Sequence, residues 1–180
     1  MSEDWETFAE ELANAFVDLN NDMTCENLTR AAEKIVQLID LLQIGILKLA
    51  KSDITNNMKK VGKSSELLEN RIPSCRRAAS GALWLGNTFE FIKELMFLIV
   101  DTKYADKSPG EIARLAYENT LKKYHNAATS CIFAAGFKTL PSREKFEQRL
   151  GIVSMDNVRP KIHRFHHEAD RAVVRIRSSL

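Results

Sequence analysis

Apolar and polar residues alternate along this chain with a helical period. Trp5, Phe8, Leu12, Ala15, Phe16 and Leu19 recur at three- and four-residue steps among acidic neighbours, which predicts an amphipathic helix from about Trp5 to Leu19. After Asn20-Asn21-Asp22, either Thr24 or Glu26 can open a second, longer helix. Its stripe is Leu28, Ala31, Ile35, Leu38, Leu42 and Leu49, broadened by Ile39, Ile46 and Leu47; Val36, Leu41 and Ile44 add apolar surface on other sides. Such a helix is expected at the centre of the fold, packed between neighbours. The polar run Ser52 to Lys60 follows with no Pro to end the helix, so Gly62 is the first stop. Pro73 suits the first turn of the next helix, through Arg76, Arg77, Trp84, Phe91 and Leu95 to about Val100. Ser108-Pro109-Gly110-Glu111 reads as a capping box with Pro at the first helical position, opening a helix through Tyr117, Leu121, His125 and Phe133 to about Phe137. A short helix follows from Pro141-Ser142 to near Gly151, and a basic one runs from Asp156 to Ile176.

No strand pattern with its own turns interrupts this series, and 7 Gly and 4 Pro in 180 residues are too few for the turns of a sandwich or barrel. The expected fold is all-α, seven or eight helices around one core, as a single domain over 1–180. That length can remove roughly 70% of the unfolded surface from water. With 44% hydrophobic and 28% charged residues, and Lys+Arg 26 against Asp+Glu 24, the chain reads as globular and nearly neutral. A nucleic-acid partner is not expected, since that calls for a larger, clustered basic excess. Cys25, Cys75 and Cys131 are odd in number and far apart, which fits neither a disulfide framework nor a zinc site. The acidic start Met1 to Glu6 is unlike a secretory signal, so a cytoplasmic location is expected. Lys and Glu interrupt the most apolar stretches, which therefore cannot span a bilayer.

Few residues suggest chemistry. Asp53, Asn57 and Lys60, at i, i+4 and i+7, share one helix face as a carboxylate, an amide and an ammonium. That mixture of donors and acceptors suits sugar hydroxyls, whereas a phosphate calls for cations and N–H donors alone; spacing by itself equally describes a solvated face. Trp84 shares a face with Arg77, Ser80, Thr88 and Phe91, and is either core or a flat platform for the apolar face of a sugar. His125 is either a packed residue or a donor to a carbonyl. His163, His166 and His167 have metal-like spacing but no recognised ligand pattern, and read as surface histidines. No phosphate loop, nucleophile elbow or Cys-X-X-Cys occurs, so neither an enzyme, a metal nor a cofactor is expected.

Three ordered segments together resemble the glycolipid transfer protein family. Lys51-Ser52-Asp53-Ile54-Thr55-Asn56-Asn57-Met58-Lys59-Lys60 is similar to its head-group segment, and Ala82-Leu83-Trp84-Leu85 with Phe89, Phe91 and Ile92 to its tryptophan helix. Ala116-Tyr117-Glu118, Leu121 to His125, Ile132-Phe133 and Leu140-Pro141 resemble its histidine helix. The resemblance implies a two-layer all-helical sandwich that holds one sphingolipid, chains in an apolar pocket and head group at the surface, and carries it between membranes unaltered. It implies a monomer that touches membranes transiently. Asp53 would accept from the ceramide amide and a sugar hydroxyl, Asn57 and Lys60 would bond further hydroxyls, Trp84 would stack the sugar, and His125 would donate to the amide carbonyl. A sister branch carries ceramide-1-phosphate and has cations at the amide and tryptophan positions, with an Arg one turn before the latter; here stand Asn57, Trp84 and Ser80, which favours a sugar. Arg77, two turns before Trp84 on its face, is an accessory candidate that would suit a phosphate. A lipid-sensing helical interaction protein is a further alternative. Two features depart from the family. Ala127 replaces an aromatic that often follows the histidine, and the C-terminal helix with Arg164, Arg171, Arg175 and Arg177 has no close match. That helix is either a basic face toward anionic lipid, worth about 1 kcal/mol per cation, or an ordinary solvated helix.

Overall fold

The computed structural model describes residues 5–43 and 47–180; Ile44, Ile46 and residues 1–4 lie outside it. Among the described residues there are nine α-helices and no strand: α1 (Trp5–Asn21), α2 (Cys25–Leu42), α3 (Leu47–Val61), α4 (Leu68–Ser74), α5 (Arg76–Val100), α6 (Pro109–Asn119), α7 (Ala127–Phe137), α8 (Arg143–Leu150) and α9 (Met155–Ser178). Short 3-10 turns occupy Thr102–Tyr104 and Lys122–Tyr124. The all-helical, two-layer expectation holds, and several starts fall where side chains cap them. Thr24 accepts from Asn27 N–H, and Ser108 and Glu111 form the reciprocal capping box. Gly62 and Gly151, both at positive φ, follow α3 and α8 as stops.

Three breaks exceed the expected seven or eight helices. The long second helix is two, because Gln43 takes a left-handed conformation (φ 50°) at the end of α2. Pro73 does not open α5; it lies in the last turn of the short α4, and Cys75 is extended between α4 and α5. The helix begun by the capping box stops at Asn119. Thr120 leaves helical geometry with its hydroxyl bonded to Ala116 O at 2.6 Å, and Asn126 caps a new helix by accepting from Thr129 N–H.

α5 lies at the centre, against α9, α3, α6, α4 and α2, while α1 packs on α9 and α2. Trp5, Phe8, Leu12, Phe16 and Leu19 of α1 are fully buried, as are Phe165, Ala169, Ala172 and Ile176 of α9. The C-terminal helix is thus a core element, not a free basic surface. Its arginines are engaged: Arg164 with Glu10, Arg171 with Glu168, Arg175 with the Asn20 carbonyl and Arg177 with Glu90. His163 and His166 flank Phe97, at 5.2 and 4.5 Å between ring centres. No described helix is long and apolar enough to cross a membrane.

Candidate functional site

The polar face of α3 is ordered by its own spacing. Asn57 Nδ2 donates to Asp53 Oδ2 at 3.1 Å, and Lys60 Nζ donates to Asn57 Oδ1 at 2.8 Å. Asn57 is only 1% exposed, so in this arrangement it serves as the link that aims Asp53 and Lys60 and does not itself reach outward. Asp53 is exposed, and among the described residues no donor occupies its Oδ1.

Gly81 sets where this face stands. An added Cβ there would lie 2.7 Å from Asn57 O and 2.9 Å from Lys60 Cβ, so α3 can approach α5 this closely only because the residue has no side chain. Trp84 lies one turn further along α5 and is half-buried. The same glycine therefore registers the carboxylate helix against the indole helix.

His125 does not lie within a helix. It follows the 3-10 turn, with extended backbone, in the break between α6 and α7. Its ring stacks beside Trp84 at 6.0 Å and 19°, and Nδ1 is hydrogen-bonded to Tyr117 Oη at 3.1 Å. Tyr117 in turn reaches Ser130 Oγ at 3.0 Å. When the Tyr117 hydroxyl donates its hydrogen bond to Nδ1, the neutral ring carries its own proton on Nε2 and donates from there. Burial holds the His125 pKa below the ordinary imidazole value, against the nearby Asp53 carboxylate, which pulls it up. The imidazole is therefore neutral at pH 7.

Asp53, Trp84 and His125 stand over one apolar cavity of about 520 Å³. Its walls include Leu38 and Leu42 of α2, Ile54 of α3, Phe91, Leu95 and Met96 of α5, and Phe133 and Phe137 of α7. The volume is within the roughly 300–1,000 Å³ usual for a small-molecule site. Such a chamber has the lining to take up hydrocarbon, and the polar groups at its edge can hydrogen-bond an amide or hydroxyls. Of the six sequence candidates, these three meet at the cavity; Asn57 and Lys60 support Asp53 from behind. Arg77 is exposed and, among the described residues, forms no ion pair. No group of three or more possible metal ligands occurs among the described residues.

Sequence reasoning missed Tyr117 and Ser130, which fix the imidazole. The apolar period predicts one continuous helix carrying both of them with His125, and on such a helix Tyr117 and His125, eight residues apart, would stand about 12 Å apart along the axis, too far to touch. The capping signal Asn126 with Thr129 was the clue to the break.

Residues 23–152 match the family model described as glycolipid transfer protein. A glycolipid transfer protein of Aureobasidium melanogenum is 26% identical over 163 residues, covering 81% of this chain and 79% of that one. Glycolipid transfer protein 1 of Arabidopsis thaliana is 31% identical over 87 residues, 48% of this chain and 41% of that one. Among solved structures, the fungal glycolipid transfer protein HET-C2 superposes with TM-score 0.69 at 22% identity, covering 86% and 83% of the two chains. Human ceramide-1-phosphate transfer protein, in complex with its lipid, gives TM-score 0.80 at 13% identity, covering 94% and 93%. At these identities the structural likeness is one of fold. The chain belongs to the glycolipid transfer protein family, whose members carry lipid and are not enzymes.

Proposed function

We propose that this protein binds one glycosphingolipid and moves it between membranes without changing it. The observation that carries the reading is the convergence of a free carboxylate oxygen, an indole and a neutral imidazole at the edge of one apolar cavity. Hydrocarbon chains would fill the cavity. Asp53 would accept from the amide N–H and a sugar hydroxyl, His125 Nε2 would donate to the amide carbonyl, and the Trp84 face would carry the apolar side of the sugar ring. Lys60, held through Asn57, would supply a further donor.

A phosphate head group would need cations to compensate its loss of water. The buried partner of Asp53 is instead a neutral amide, and Arg77 is exposed. The ceramide-1-phosphate carriers resemble this chain in fold, at 13% identity, and their ligand is the second reading.

Membrane contact is proposed for α7. Its apolar residues have no sidedness: Ala127, Ala128, Cys131, Ala134 and Ala135 are exposed, and Ile132 is 51% exposed. Leu49, at 61%, lines the same cavity from α3. Lys122 and Lys123 precede α7 and would meet anionic head groups.

A head-group panel in vesicle-to-vesicle transfer tests all of this. Hexosylceramide should move faster than ceramide-1-phosphate, and Trp84→Ala and Asp53→Val should slow it while the protein stays folded. Preference for the phosphate, or wild-type transfer by both variants, would refute the assignment.

A further inference from the structure

Tyr124 and Arg177 belong neither to the core nor to the head-group set described above. Tyr124 ends the 3-10 turn directly before His125, and its ring meets the Trp84 indole edge-on, with centres 6.4 Å apart at 70°. It borders the same cavity and is 40% exposed. An exposed phenol normally keeps its rotamer freedom. This one is tethered, because Arg177 reaches it from the last turn of α9. The guanidinium Nη2 lies 3.4 Å from Tyr124 Oη and 3.3 Å from Oδ1 of buried Asn87, and Nη1 and Nη2 both bond the Glu90 carboxylate. Asn87 and Glu90 are on α5, within two turns of Trp84. One planar cation thus ties the phenol to the helix that carries the indole, a fork that Lys cannot reproduce.

A phenol oxygen that accepts from a cation still has its own proton to give, and hydrogen bonds in series strengthen one another. Among the described residues no acceptor takes that proton. Tyr124 borders the cavity at its exposed rim next to Trp84, within reach of the hydroxyls of a ring lying on the indole. A ceramide without sugar has no ring to place there.

We propose that Tyr124 is a specificity-determining contact for a hexose head group and that Arg177 is the positioning residue that holds it. The inference rests on the glycosphingolipid reading, and it makes the end of α9 part of the head-group site.

The test loads the full chain from vesicles containing equal glucosylceramide and ceramide, reads the bound lipid by mass spectrometry, and measures the thermal midpoint of the lipid-free protein. Tyr124→Phe and Arg177→Gln should each lower the glucosylceramide-to-ceramide ratio about three- to tenfold, the usual cost of one hydrogen bond. The double variant should lose no more than Arg177→Gln alone, and Arg177→Lys should recover only part of the ratio. Arg171→Gln, which removes an exposed pair on the same helix, should behave as wild type. An unchanged ratio in Tyr124→Phe overturns the proposal. So does an Arg177→Gln variant that binds both lipids equally poorly with a lowered midpoint, which would make the residue structural. A wild type that takes up no glucosylceramide overturns the functional reading, and this inference with it.

Discussion

On the α1 and α9 side of α5, Phe89 meets Phe16 edge-on at 4.9 Å between ring centres, and Phe16 meets Phe165 at 5.2 Å. On the α3 and α7 side, Phe91, Ile92 and Leu95 face a chamber of about 520 Å³. Both sides are built from Leu, Ile, Phe and Ala. The difference lies in what stands opposite: α1 and α9 each bring one apolar stripe that interlocks with α5, whereas α7 is apolar all round and packs mainly on α6. A stripe closes a core. A helix without one leaves hydrocarbon-lined space on one side and apolar surface on the other, which is what a carrier needs at its mouth.

The contrast is sharpest if each side is damaged in turn. Phe16→Ala should cost about 3–5 kcal/mol of unfolding free energy, because a close-packed site cannot collapse around the void; urea denaturation measures it. An equal loss from Phe133→Ala at the chamber wall would erase the distinction. Asp53→Asn should reverse the pattern, with stability nearly unchanged because its amide oxygen can still accept from buried Asn57, and transfer reduced about 10- to 100-fold, the cost of a charge-assisted hydrogen bond. Gly81→Ala should affect both properties. The new methyl meets Asn57 O at 2.7 Å, so about 1–3 kcal/mol of stability should go, and transfer should fall as Asp53 shifts from Trp84. Ile132→Asp, on the exposed face of α7, should leave stability within about 0.5 kcal/mol while weakening binding to vesicles several-fold in a sedimentation assay.

A smaller effect follows from protonation. Burial lowers the folded pKa of His125, and likewise that of His166, which is also near Lys93. The unfolded chain therefore binds these protons first as pH falls. Their contribution to stability is intact above about pH 6.5, the unfolded imidazole value, and declines below it. His125→Gln should flatten that decline in thermal midpoint. Asp170, whose pKa is lowered by its bond to Lys93, loses its contribution only in the more acidic carboxylate range, so the two windows separate in a pH series.

Helix starts were legible at Thr24, Ser108 and Ser142, where a side chain makes the cap after a polar or proline break, but not at Asn126, whose cap lies inside a continuous apolar period. The breaks were not. Gln43 takes positive φ with no glycine to mark it, and Thr120 departs from the helix through its own hydroxyl, inside a stretch whose apolar period continues unbroken. Pro73 misled because proline suits a first turn, and here it stands in a last one. In the site, Asp53, Asn57 and Lys60 were readable because their spacing is local to one helix. The burial of Asn57 was not, since it depends on Gly81, on another helix. The tether from Arg177 to Tyr124 joins residues 53 positions apart and has no local pattern to betray it.

The hydrogen atom that serves Gly81 as a side chain acts as a spacer of fixed thickness. It sets the gap between two rods, and with it the aperture across which, in the proposed reading, a polar cargo would be gripped from both sides. In a relative, a bulkier residue at the matching site would forecast a wider mouth and a larger or differently shaped cargo.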